Sequence, residues 1–481
     1  MTSPVRFSCE DPSLQTLFDR AQAQCEKNLR RFGPYTVLVE GGGYEKLWLE
    51  TQPMGGEMYA LRSPEAAYNN IALFMRYQRE DGRLPGSIRH DAGTLTAEYN
   101  KYQGFCFPYH ALNLYYLLGE DRDYLDALRT TLIRFDACLW RTRHVSGDGI
   151  LSSFCVYDTG EDHALRYGDA PVYWTEDTPP EGSQVVPMAS MDVTSWSYAA
   201  RDTLAAISRI LYTGEEEEWA GKAREVAFSL RERLWDDKRG ALYDRDRFGR
   251  TIDILCHNTL RCMYWGSVSP EMARRFLTEH LRSPKEFWTP FPLPSVAVSD
   301  PAFRNAPENN WSGQSEGLTW QRSILALERY GFRGTLTELG NILFRTIADN
   351  EYRFVQQYDP LTGKASLVDA VRHEPISDNS DVPVQTAYGP TLLAALGFID
   401  HTYGICGMRG KVAFSLAHAP YTYECTLYGH IYRIESSGKV ASLFRDSRQL
   451  GIFPSGTRIV TDQNGQVLSM HPMTDDGQGC L

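Results

Sequence analysis

At 481 residues the chain could build one large domain or two to three ordinary ones. Its 42% hydrophobic and 12% aromatic content supplies a sizeable core with rings left over for a pocket. A net charge of −12 and the lack of any Lys/Arg run exclude a nucleic-acid surface.

No apolar run reaches about 18 residues, and "MTSPVRFSCEDPSLQ" has neither a basic nor an apolar leader region, so the expectation is a soluble, cytoplasmic protein with no membrane contact. The first 400 residues read as successive helices. Segments near 12–31, 53–61 and 63–80 come first, the third opened by the cap Ser63 and by Pro64. Others follow near 105–118 and 122–142. In 192–212, Trp196, Ala200, Leu204, Ile207 and Leu211 recur at spacings of three and four, ended by Thr213-Gly214. Trp219, Ala223, Val226, Leu230 and Leu234 repeat the pattern, and further segments lie near 254–265, 269–282, 315–330, 333–348 and 385–399.

About twelve helices in consecutive hairpins predict a mainly α fold, a closed (α/α)6 barrel with six helices inside and six outside. A helical solenoid is the competing architecture, but there is no fixed repeat period and the connecting loops are long and aromatic. Those loops, 36–52, 82–104, 143–191, 284–314 and 350–383, are of the length that carries function. After about residue 404 the chain alternates β-branched or aromatic residues with polar ones, and Asn464-Gly465 marks a hairpin turn. The expected division is a helical domain over 1–403 and a small antiparallel β domain over 404–481.

Ten cysteines are scattered without a C-x-x-C pair, which suits reduced, buried thiols. Eleven histidines form no H-x-x-x-H or Cys/His cluster, so no metal site and no cofactor are expected. "GDGILSSFCVYDTGEDHALRYGD" gathers Asp148, Asp158, Glu161, Asp162, Arg166 and Asp169 with Phe154, Tyr157, Tyr167 and Tyr173. Charged loops are usually just solvated. Carboxylates among rings, however, suit sugars, whose C–H faces stack while their hydroxyls bind acids. "VEGGGYEKLWLETQPMGG" and "NNWSGQSEGLTWQR" likewise set Trp48 with Glu50 and Trp311 with Glu316 beside glycines.

Over residues 36–400 these stretches resemble, in order, the inverting (α/α)6-barrel glycosidases: trehalase, processing α-glucosidase I and the mannosylglycerate hydrolases. "GGGYEKLWLETQ" resembles their first-helix motif, implying that Trp48 and Glu50 hold the sugar being cleaved. "YQREDGRLPGSI" resembles a Q-x-x-D-G-x-x-P turn, and "LWDDKRGALYDRD" a W-D-x-x-x-G-x-x-Y-D turn. "DTGEDHALRYGD" resembles E-S-G-x-D-x-S-x-R, which puts Asp162 on the general acid and Arg166 on the arginine. Asp158 and Ala164 depart from the motif's Glu and Ser. "NNWSGQSEGLTWQR" resembles W-x-G-x-x-W, with Glu316 at the second Trp. "QQYDPLTG" fits E-x-Y/F-D/N-P-x-T-G, but Gln356 stands where the general base is expected.

The resemblance implies an exo-acting hydrolase of a short α-glycoside, glucosyl or mannosyl, either a disaccharide or a glycosyl-glycerate. The residues expected to contact substrate are Trp48, Glu50, Tyr157, His163, Arg166, Trp196, Trp311, Gln314 and Tyr358. No nucleic-acid partner is expected, and the oligomeric state is not legible. Inversion needs one carboxyl to protonate the leaving oxygen and another to activate water. Gln356 can hold a water and cannot take its proton. Four accounts follow: an inactivating Glu-to-Gln replacement; a base elsewhere, with Glu316 first and Glu374 next; a phosphorylase whose phosphate is held by Lys364, Arg372 and His373; or a carbohydrate-binding protein without catalysis.

Overall fold

The computed structural model describes residues 4–307, 311–366 and 387–479. Helices begin where the sequence supplies a cap. The Asp11 carboxylate accepts from the backbone of Ser13 and Leu14 ahead of α1 (Pro12–Glu26), and Ser63 accepts from Ala66 ahead of α3 (Pro64–Arg76). Each such cap stabilises its helix by roughly 1 kcal/mol. The remaining helices are α2 (Gln52–Met58), α4 (Pro108–Leu117), α5 (Arg122–Arg143), α6 (Met191–Leu211), α7 (Glu216–Leu234) and α8 (Asn258–Trp265). They continue with α9 (Pro270–Phe276), α10 (Gly317–Arg329), α11 (Arg333–Asp349) and α12 (Gly389–Tyr403).

Two expected boundaries move for local reasons. The segment expected over 12–31 leaves the helix after Glu26, because Leu29–Phe32 pairs with Tyr35–Leu38 across a turn in which Gly33 takes φ +59°. The segment expected to run to about 80 stops at Arg76. There the chain turns through Gly82 (φ +96°), where an added Cβ would strike the Arg134 carbonyl.

The even-numbered helices pack in sequence, α2 on α4, α4 on α6, α6 on α8, α8 on α10 and α10 on α12, and α12 packs back on α2. Odd-numbered helices lie against them, α3 on α2, α5 on α6, α7 on α6, α9 on α8, and α1 and α11 on α12. Between them Trp196 packs edge-on against Tyr102 and Trp265, and Phe105 stacks on Phe135 at 4.4 Å.

Beyond α12 the chain is antiparallel β. One sheet holds Ile405–Met408, Lys411–Leu416, Thr457–Thr461 and Val467–Pro472, and Asn464-Gly465 lies in the turn before the last strand. The other holds Pro420–Leu427, His430–Ser437, Val440–Arg445 and Arg448–Pro454, and is completed by the N-terminal strand Val5–Cys9, which pairs with Tyr421–Cys425. The nine described cysteines are unbridged, and seven are buried. Among the described residues no helix is long and apolar enough to cross a membrane.

Candidate active site

The loops that precede α2, α4, α6, α10 and α12 enclose a cavity of about 500 Å³. A volume of this order suits a small organic ligand held by a few polar groups. Asp162 reaches it from a turn that is fixed from below. Asp158 is fully buried there, and its carboxylate accepts from the backbone N–H of Phe154 (2.8 Å) and Cys155 (3.3 Å). Asp158 therefore braces the turn and does not line the cavity. The Asp162 carbonyl accepts from the Trp311 N–H at 3.0 Å, and the Ser312 hydroxyl accepts from the Leu165 N–H at 2.9 Å. These two bonds bring Trp311 onto the same wall as the acid.

Glu50 lies between these loops. Its carboxylate accepts from Gln103 Nε2 and pairs with Arg322 Nη2, both at 3.2 Å. Gly160 (φ +74°) closes over it, and a side chain there would collide with the carboxylate. Burial, opposed by Arg322 and reinforced by Asp162, pushes the Glu50 carboxyl up to about 7. An acid whose folded pKa is raised retains its proton longer in the folded state, so stability is lost as pH climbs from the unfolded value through about 7. We predict that Glu50→Gln flattens this fall. Melting temperatures across roughly pH 5 to 8 would show it, and an unchanged slope would exclude the raised carboxyl as its source.

Aromatic rings and, among the described residues, one cation complete the wall. Lys101 is buried with its ammonium 5.5 Å from the Trp48 ring centre and 4.9 Å from that of Tyr173, and burial lowers its pKa. Tyr157 meets Tyr173 edge-on at 5.1 Å. On another side, the Tyr44 hydroxyl donates to Gln356 Oε1 at 2.9 Å, and the Tyr44 ring meets Tyr388 edge-on at 6.2 Å.

Asp162, Gln356, Trp48, Glu50, Tyr157 and Trp311 thus share one cavity. Six other expected residues do not line it. Glu316 is fully buried and accepts from Gln357 Nε2, because the short ladder pairing Ser315–Glu316 with Gln357–Tyr358 turns Gln357 away from the face carrying Gln356. Trp196 is core, and Tyr358 packs on Phe291 at 4.7 Å with its hydroxyl on the Arg353 carbonyl. Gln314 is buried against Asn305 and Ser366. His163 is exposed beside Tyr157, with φ +57°.

Arg166 lies beneath the cavity and not in its wall. It pairs with Glu161, Asp192 (2.7 Å) and Asp244, while Arg261 and His257 also reach Glu161, at 2.8 and 3.2 Å. Burial would raise the Glu161 carboxyl, yet Arg166 and Arg261 hold it well below the usual range, whereas burial keeps Asp244 up at about 6.

Of the other expected anion and base groups, Lys364 is exposed on the turn after Asp359, and Arg372, His373 and Glu374 lie outside the described residues. Glu40, Tyr44, Lys101, Gln103 and Tyr388 line the cavity without having been singled out in the sequence. The only signal for Glu40 and Tyr44 was their place in the Gly-rich stretch before Trp48.

A helical frame carrying a carboxyl-bearing, aromatic-walled cavity of this kind is that of a glycoside hydrolase. Residues 56–373 match the mannosylglycerate hydrolase MGH1-like glycoside hydrolase domain, and the chain belongs to that family. Among solved structures it is similar to the GH63 mannosylglycerate hydrolase from Thermus thermophilus in complex with glucose. That match has 18% identity and a TM-score of 0.60 over 79% of this chain and 99% of that one. A neutral trehalase from Saccharomyces cerevisiae matches with 14% identity and a TM-score of 0.53 over 79% of both chains. A sialidase matches with 13% identity and a TM-score of 0.71 over 96% of this chain and 42% of that one. No curated protein sequence matches the chain.

Proposed function

We propose that the chain is an inverting, exo-acting hydrolase of short α-glycosides, built as an (α/α)6 barrel within 1–403, supported by the β region over 404–481 that the strand Val5–Cys9 joins. The cyclic packing of the six even-numbered helices supports the barrel reading. The observation that carries the activity is that Asp162 and Gln356, nearly 200 residues apart in sequence, meet in one cavity with Trp48, Glu50, Tyr157 and Trp311. Asp162 protonates the leaving oxygen. Gln356 holds the attacking water: the Tyr44 hydroxyl takes one lone pair of its Oε1 and fixes the amide, and the second Oε1 lone pair accepts from that water. The cavity admits a terminal glucosyl or mannosyl unit plus a small aglycone. Lys101 would suit an aglycone with a carboxylate, as in a glycosyl-glycerate.

A panel of α-linked gluco- and manno-disaccharides and glycosyl-glycerates, with the product anomer followed by NMR, tests this reading. Hydrolysis giving the β-anomer first is expected. A retained α-anomer, release only with added phosphate, or binding without turnover would each overturn it.

A further inference from the structure

An inverting hydrolysis needs a group that takes a proton from water, and an amide has no capacity for it. Among the described residues three carboxylates line the cavity: Asp162, Glu50 and Glu40. Asp162 is assigned to the leaving group. Glu50 lies pressed under Gly160, beside Asp162 on the acid's own side of the cavity, whereas inversion needs its base on the opposite face of the sugar. Glu316, the candidate suggested by sequence, is buried outside the cavity on Gln357.

Glu40 sits on the wall that carries Gln356. The Gly389 N–H donates to the Glu40 carbonyl at 2.6 Å, and the Tyr388 N–H donates to the Phe354 carbonyl at 3.0 Å. The start of α12 therefore clamps Glu40 on one side and the strand leading to Gln356 on the other. Gly41, Gly42 and Gly43, at φ +72°, +60° and +96°, carry the chain from Glu40 round to Tyr44, whose hydroxyl closes the link onto Gln356. This turn is tightly built. A Cβ at Gly41 would strike Asn28 and the Ala387 carbonyl, and one at Gly42 would press on Tyr388 at 3.1 Å.

Resting on the hydrolase reading above, we propose that Glu40 is the base that deprotonates the attacking water, while Gln356 only orients it. The water oxygen bonds to the anomeric carbon as the glycosidic C–O bond breaks. Asp162 gives its proton to the departing oxygen, and Glu40 receives the proton that the water loses. Exchange with solvent then returns both carboxyls to their starting forms.

The test uses α-glucosyl and α-mannosyl fluoride, whose leaving group needs no acid. Glu40→Gln is expected to lower kcat by about 10²–10⁴-fold with little change in KM, and to remove the acidic limb of the pH–rate profile. Azide, a nucleophile that needs no base, should restore turnover as the inverted glycosyl azide. Gln356→Glu placed in the Glu40→Gln background should restore hydrolysis, because it returns a carboxylate to the same water. Wild-type kcat in Glu40→Gln, a loss that neither azide nor Gln356→Glu repairs, or a jump of orders of magnitude from Gln356→Glu alone would each overturn Glu40 as the base. If Glu40→Gln does not fold, Glu40→Asp takes its place: a lowered kcat with the acidic limb kept is expected, and an unchanged kcat would overturn the proposal. A wild-type protein that hydrolyses neither fluoride nor any glycoside of the panel would instead remove the hydrolase reading itself.

Discussion

Asp162→Asn is expected to lower kcat/KM on an alkyl or sugar α-glycoside by about 10²–10⁴-fold, the usual contribution of a positioned general acid. The same variant should lose far less on a glycosyl fluoride, which departs without protonation. The contrast is diagnostic because a merely structural Asp would cost both substrates alike. The side chain is replaced isosterically, and the contact holding the turn to Trp311 runs through the Asp162 carbonyl, which the substitution leaves in place. The brace beneath, Asp158 on the Phe154 and Cys155 amides, is untouched as well. Kinetics on paired substrates decide the point: equal losses would move the acid elsewhere, with Glu50, the cavity carboxylate that feels the Asp162 charge, next in line.

The sequence carried most helices well because they have a 3.6-residue apolar period and several have a capping side chain or an N-terminal proline. The site was legible where a motif is continuous, as in the turn bearing Asp162 and the Tyr-Asp-Pro turn after Gln356. It was illegible where single residues from separate loops converge, as Lys101, Tyr388 and Glu40 do. Trp196 shows the opposite error. It recurs with Ala200 and Leu204 on the apolar face of α6, and that period already described a core residue. Gln356 and Gln357 are adjacent and chemically identical, yet strand alternation sends one to the cavity and the other to Glu316. Nothing in composition could choose between them without the register of the 315–316 and 357–358 pairing.

Arg166→Met is expected to destabilise the fold by about 3–5 kcal/mol, the cost of leaving buried carboxylates without their cation. Arg166 is buried and serves Glu161, Asp192 and Asp244 together; without it Arg261 would face Glu161 and Asp192, helped at Glu161 by His257. The loss should grow with pH. In the native protein Glu161 is held well below the usual carboxylate range, so it contributes stability that is present above its unfolded pKa and lost as pH falls through the folded one. Without Arg166 the sign reverses for the cluster. Carboxyls left in a buried site take up protons and so favour the folded state at low pH, and the penalty appears as they ionise. Thermal or urea unfolding of both proteins at pH 5.5 and 8 measures this, with the larger gap expected at pH 8. Arg166→Lys should recover only part of the loss, since one ammonium cannot span the three partners that the guanidinium fork reaches. A variant with wild-type unfolding and a raised KM would instead make Arg166 a substrate contact, and would show that the cluster beneath the acid turn does not depend on it.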